Sequence, residues 1–175
     1  MTHHTRTVVS VVSPLVLGAL LLIVGSLMGQ TSSSDSKSAQ KFSASSIQIE
    51  PTDAGDVPMP PEFRMAIYES LIAQIKKTGK FQHVYRSGDK DAASVPDLVT
   101  LRTTAQSFTK GSQRKREVTT VTGSTSMTLK VHITDHAGQT IVDRDVRGKV
   151  HFLGENLRAT YDFSKKVATI IRNTF

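Results

Sequence analysis

Apolar and polar residues are unevenly spread along the chain, and their spacing sets out most of the elements. Val8 to Met28 reads VVSVVSPLVLGALLLIVGSLM and carries no charge. Residues 31–46 (TSSSDSKSAQKFSASS) then hold almost nothing large and apolar. From Ile47 the pattern becomes periodic. Ile47 and Ile49 alternate with Gln48 and Glu50, as in a short half-buried strand. A loop rich in Pro, Asp and Gly follows. Phe63, Ile67, Leu71 and Ile75 recur every four residues, with Tyr68 and Ile72 beside them, and predict one apolar helix stripe. Pro60 and Pro61 sit where that helix can start, and Glu62 suits its first turn. Gly79 ends it, and Lys76, Lys77 and Lys80 complement its C-terminal dipole.

The second half reads mainly as strands. Phe81, His83 and Tyr85 predict one strand, and Leu98 to Phe108 another, with Val99, Leu101, Thr103 and Ala105 on one face. Residues 110–119 are polar and basic and read as a connecting loop. Met127, Leu129, Val131 and Ile133 alternate with Thr128, Lys130, His132 and Thr134, the cleanest period of two in the chain. Asp135 to Gly138 is hairpin-turn material, and Thr140 to Phe152 supplies the return strand. Leu157, Tyr161, Val167, Ile170 and Ile171 predict a closing helix.

The expected fold class is α+β: an antiparallel or mixed sheet of four to five strands, with two helices packed on one face. It follows an N-terminal hydrophobic helix and a flexible linker. Residues 1–30 are expected to be a signal peptide or membrane anchor, 31–46 a Ser-rich disordered linker, and 47–175 the domain. Arg6 is the only charged residue before Asp35. A charge at bilayer depth costs about 2.5–3.5 kcal/mol on insertion scales, so an uncharged run of this length partitions into a membrane. Its core, Leu15–Val24, has the length of a signal-peptide centre, while the full run is long enough to span. Either reading exports the domain, to be periplasmic or anchored in the inner membrane with its C-terminal part outside the cytoplasm.

Charge and composition then narrow the chemistry. The formal net charge is +7, and the leader contributes only Arg6 to it. A basic exported domain attracts anionic polymers or lipid headgroups. Lys110, Arg114, Lys115 and Arg116 form the densest basic cluster and are the candidate polyanion or membrane-surface contact. Nucleic acid is not expected: 6% of residues are aromatic, none is tryptophan, and none interleaves with the cluster for base stacking. The absence of cysteine excludes disulfides, thiolate metal sites, a cysteine nucleophile and a lipidated cysteine.

No motif names a reaction, and no catalytic residue, cofactor or metal is expected. His132 and His136 are four apart with Asp135 between, but they span a strand end and a turn, a poor geometry for shared ligation. His83 reads as a satisfied, partly buried histidine. Asp143 and Asp145 share a strand face, where cross-strand ion pairs to Lys130 or His132 account for them better than acid–base catalysis. No Gly-x-Ser-x-Gly occurs, and Gly123-Ser124 lacks the Lys of a phosphate loop.

Four stretches carry a resemblance. PPEFRMAIYESLIAQIKKTGKFQHV, PDLVTLRTTAQSF, SMTLKVHITDHAGQTIVDRDVRGKV and NLRATYDFSKKVATIIRNTF occur in this order. The helix ending in TGKFQHV, the strand opened by Pro96-Asp97, and the hairpin with Val131, Ile133, Asp135 and Gly138 are the motifs. They resemble a bacterial envelope domain family of unknown function, itself similar to TolB amino-terminal and CsgG-like α/β domains. The resemblance covers about residues 45–175 and implies a periplasmic, non-enzymatic binding or assembly module; with the basic charge, the expected partner is an envelope protein, an anionic envelope polymer or lipid headgroups. The membrane is a further partner through the N-terminal segment if it is not cleaved. An envelope hydrolase with an unrecognised site is the alternative. A flat sheet with an exposed edge favours the first reading, and a deep cleft gathering His132, Asp143 and Asp145 favours the second.

Overall fold

A computed structural model describes residues 41–119, 123–150 and 155–175. The leader and residues 31–40 of the expected linker lie outside the described residues. Five strands and three helices follow one another: β1 (Ser46–Ile49), α1 (Pro61–Lys76), β2 (His83–Arg86), β3 (Leu98–Thr109), α2 (Gln113–Val118), β4 (Thr125–Thr134), β5 (Thr140–Val150) and α3 (Arg158–Thr174). A short 3-10 turn, Lys90–Ser94, lies between β2 and β3.

The strands form one mixed sheet in the order β2-β1-β3-β4-β5. β1 runs parallel to both β2 and β3, while β3, β4 and β5 form an antiparallel meander. The parallel pairs arise because α1 carries the chain back to its starting end between β1 and β2, a return that a tight turn cannot make. α1 and α3 cover one face. The core between them and the sheet holds Ile47, Ile49, Leu101, Leu129, Val131 and Ile133 from the strands, each with no exposure, against Ile67, Leu71, Phe163 and Ile171 from the helices. This is the α+β sandwich that the period-two and period-four patterns imply. β4 alternates buried and half-buried positions along almost its whole length.

The α1 stripe is buried as spaced, with Phe63, Ile67, Leu71, Ile72 and Ile75 inside. Pro61 opens the helix, whose freed N-terminus has no side-chain cap. At its other end Thr78 Oγ donates to the Ile75 carbonyl at 2.6 Å, and Gly79 at φ +65° turns the chain away.

Three readings change. In α3 the buried stripe is Ala159, Phe163, Val167 and Ile171. Leu157 and Tyr161 are 37% and 49% exposed. At 100° per residue Tyr161 stands almost opposite Phe163, and the Lys165 ammonium lies over its ring at 5.7 Å. Phe81 is buried before β2 begins, whereas His83 and Tyr85 lie on the outer face with rings stacked 5.8 Å apart. His83 is therefore exposed rather than partly buried; Val84, aligned with Ile47, takes the inner position. Finally, the basic connection contains a helical turn and a half, α2, opened by Ser112, whose hydroxyl accepts from the Lys115 amide at 3.4 Å.

The chain is tied into the fold from Phe42, inside the stretch read as the end of the linker. The Phe42 amide donates to the Thr174 carbonyl at 2.9 Å. The Ser45 amide and hydroxyl both donate to the Asp97 carboxylate, at 2.8 and 2.7 Å. No helix among the described residues is long and apolar enough to cross a membrane.

Candidate binding surfaces

The helices leave one face of the sheet open, and its charged residues follow from strand register. Arg102 on β3 stands opposite His132 on β4, which stands opposite Asp143 on β5; Lys130 stands opposite Asp145. Opposed side chains on one face are close enough to interact. Lys130 Nζ lies 3.0 Å from Asp143 Oδ1 and 3.8 Å from Asp145 Oδ1. His132 Nδ1 is 3.8 Å from Asp143 Oδ2. Arg102 reaches the other way, gripping Glu50 with Nε and Nη2 at 2.9 and 3.1 Å. The hydrogen bond to Asp143, then the charges of Asp143 and Asp145, raise the Lys130 pKa. Glu50 likewise raises that of Arg102, first by hydrogen bonding and then by charge. These are the cross-strand pairs expected for Asp143 and Asp145. They lie side by side on an open surface, a third to a little over half exposed.

Beside this face, Ala92, Val95, Thr100, Arg102, Asp135 and His136 line an open hollow of about 370 Å³. Asp135 is occupied by its own turn, accepting from the amides of Ala137 and Gln139 at 2.9 and 2.8 Å. His132 and His136 do not form a ligand set with it. No cluster of three or more His, Asp or Glu residues able to hold a metal occurs among the described residues.

The basic connection lies at the end of the domain where β3 finishes and β4 begins. Its base is pinned by two side chains through three hydrogen bonds. The Gly111 amide donates to Thr125 Oγ1 at 3.0 Å, Thr125 Oγ1 donates to Asn156 Oδ1 at 2.9 Å, and Asn156 Nδ2 donates to the Gly111 carbonyl at 3.3 Å. Thr125 is fully buried. From this anchor Lys110 extends toward Glu62, 3.9 Å away and as exposed as itself. Such a pair contributes little in water. Arg114, Lys115 and Arg116 all lie on α2, whose Arg114 and Lys115 side chains are exposed. Val118, 81% exposed, closes the same short helix. Fold and sequence thus bring all four basic residues into one projecting segment. The anchor went unread in the sequence: a Thr at the start of a strand and an Asn in a distant loop carry no spacing signal until the fold brings them together.

A third surface is an apolar groove of about 290 Å³ between Pro51, Thr52 and the outer side of α1 at Pro61, Arg64, Met65 and Tyr68. Arg64 Nε is buried there without a hydrogen-bond partner.

No family model matches the chain, and no curated protein matches it. Solved structures do. One chain of the PelC dodecamer from Paraburkholderia phytofirmans superposes with a TM-score of 0.56 at 9% identity, covering 77% of this chain and 93% of the other. A point variant of that dodecamer gives 0.55 at 7%, covering 78% and 92%. A DUF330 protein from Xanthomonas campestris is more distant, at 0.43 and 9%, covering 78% and 83%. At such identities the PelC likeness shows a shared fold.

Proposed function

We propose that this chain is a non-enzymatic binding and assembly module of the cell envelope, exported and either periplasmic or held at the inner membrane. The observation that carries the reading is the open sheet face. Its charged groups pair with one another across a flat surface instead of converging in a cleft. Catalysis by His132, Asp143 and Asp145 would need a reacting group held among them and shielded from water. An open, charged sheet face suits a macromolecular partner instead.

Two further observations support it. PelC, matched over nearly its whole length, is a dodecamer, so this two-layer fold is compatible with self-assembly. The resemblance read from the sequence motifs alone, to a bacterial envelope domain family of unknown function, favours the same envelope setting. Within this reading Lys110, Arg114, Lys115 and Arg116 contact an anionic envelope polymer or lipid headgroups, because four cations fall within seven positions of one connection.

Affinity capture with the full chain from detergent-solubilised envelopes tests this. We expect a retained envelope protein or polymer, released by salt and reduced when Lys110, Arg114, Lys115 and Arg116 are all changed to Ser. A phosphatase fused after Ser46 should be active only when exported. A hydrolytic activity abolished by Asp143→Asn or His132→Ala would overturn the reading in favour of an enzyme.

A further inference from the structure

The two ends of the helix layer differ in what they present. Glu62, in the first turn of α1, and Asn156, just before α3, both reach the base of the basic connection at Lys110 and Gly111. The helices therefore run parallel, and their C-termini share the opposite end of the domain. There the Phe175 ring packs 6.4 Å from Phe42 and 5.2 Å from Phe81. α3 has 17 residues, so about 25 Å separates the two ends at 1.5 Å per residue.

Around the three rings the chain places Lys41, Lys76, Lys77, Lys80 and Arg172, all exposed. Lys41 adjoins Phe42, Lys80 adjoins Phe81, and Arg172 sits in the last turn of α3. None of the five forms an ion pair among the described residues. The nearby carboxylates of Asp97 and Asp135 are hydrogen-bonded to Ser45 and to the hairpin turn, and neither pairs with any of the five. Two helix C-termini draw some of this positive charge by their dipoles. Five cations exceed that need, and the dipoles do not explain why Phe42 stays 39% exposed among them. Aromatic and basic side chains on one surface match the headgroup layer of a bilayer, where the ring meets the interface and the cations meet lipid phosphates.

We propose that this end of the domain is a membrane-docking face, on which Lys41, Lys76, Lys77, Lys80 and Arg172 lie against anionic lipid headgroups with Phe42 at the interface. The proposal rests on the envelope reading above and assigns its membrane contact to these residues. Residues 29–40 separate the uncharged run from Lys41. Extended, they reach about 40 Å, so the tether permits either end of the domain to face the bilayer, and the surface must decide. Docked end-on, the domain keeps its other basic end about 25 Å from the bilayer, some three screening lengths at physiological salt. Docking here leaves the Lys110–Arg116 cluster facing away from the bilayer.

The chain has no cysteine, so one introduced cysteine carries one probe. Asn173→Cys marks the docking end and Glu155→Cys the far end; both positions are exposed. The full chain is reconstituted into vesicles of phosphatidylcholine with or without phosphatidylglycerol, bearing a quencher on the headgroups. In anionic vesicles we expect the Asn173 probe to be quenched and the Glu155 probe to be nearly unaffected. Neutral lipid, about 0.5 M salt, or the triple change Lys76→Ser, Lys77→Ser and Lys80→Ser should each abolish the difference, the last without changing the melting temperature. Equal quenching at both ends, stronger quenching at Glu155, or indifference to lipid charge overturns the proposal. A chain that remains in the vesicles with its Asn173 probe unquenched overturns docking alone. A chain that never associates with vesicles overturns docking and the membrane-held form of the envelope reading, and leaves the periplasmic form standing.

Discussion

The carboxylate of Asp162 on α3 accepts a hydrogen bond from the backbone amide of Lys149 on β5 at 3.0 Å. Lys166, one turn on, donates to the same carboxylate and to the Arg147 carbonyl, both at 2.8 Å. An acceptor facing a free N–H and a donor facing a free C=O are what a sixth strand would supply. In an antiparallel ladder alternate residues turn both backbone groups outward, so Asp143, Asp145 and Arg147 share the outer edge with Lys149. The α3 pair occupies one half of this edge. The other half carries two carboxylates, which would oppose their own kind in a short two-fold pairing. Long outer strands invite association, and charged or covered edges restrain it.

Replacing both residues, Asp162→Ala with Lys166→Ala, should therefore raise self-association above that of the unaltered protein. Light scattering across a concentration series reads this directly. The two side chains are partly exposed, so the melting curve should change by less than about 1 kcal/mol. Identical scattering from both proteins would rule out the pair as an edge guard.

Leu71 lies at the centre of the α1 stripe with no exposure. Leu71→Ala should cost about 2–5 kcal/mol in denaturant unfolding. A loss below about 0.5 kcal/mol would contradict the packing of α1 on the sheet.

Gly148 on β5 is required for close approach rather than for a turn. A β-carbon there would strike the Ala159 carbonyl and lie 2.7 Å from Phe163 Cβ. Neither neighbour is the movable end of a long side chain, so α3 itself would have to shift. Gly148→Ala should cost about 1–3 kcal/mol, whereas Gly88→Ala, with open space around it but φ at +87°, should cost about 1 kcal/mol from backbone strain. Equal thermal shifts for the two variants would remove the steric explanation.

The Ser45 hydroxyl and amide hold the Asp97 carboxyl below the usual carboxylate range. Its pKa is thus lower folded than unfolded. The stability it contributes is complete above about pH 4, the ordinary aspartate value, and disappears as pH falls through the lowered folded value. Asp97→Asn should lower stability at neutral pH, where the contribution is complete, and flatten the acid limb, so that the two proteins converge as pH falls. Superimposable acid titrations of the two proteins would mean that the Ser45 contact does not distinguish the folded state.

Legibility in the sequence followed the range of the physics involved. β4 could be placed to within a residue because alternation is local, and β4 lies between two partners that leave its register no freedom. The Lys130–Asp143 pair was equally accessible, since a hairpin turn fixes which residues oppose. The α3 phase was not, because Leu157 and Tyr161 look as apolar as Phe163 until Gly148 shows which side must approach the sheet. The parallel pairing of β1 depends on where α1 delivers the chain, which four residues of strand cannot encode. Among the surface groups, the Lys110–Arg116 cluster was visible as a run of like charge. Lys41, Lys80 and Arg172 lie far apart in sequence and meet only because Phe42, Phe81 and Phe175 pack together. The Asp162–Lys166 pair could be read as a helix salt bridge, but the strand edge it touches could not.

β1 pairs along all four residues with β2 on one side and β3 on the other, although it precedes both in the chain. A growing polypeptide therefore makes this interior strand before either partner, and one flank stays bare until Arg86 has emerged and the other until Leu101 has. The β3–β4–β5 meander closes through neighbouring turns and needs no such wait. Pairing over short contour lengths is the faster event, so the last strands synthesised are the first to become protected in pulse-labelled hydrogen exchange, and the first strand synthesised is the last. During that interval Ile47 and Ile49 are the residues for which a chaperone would compete.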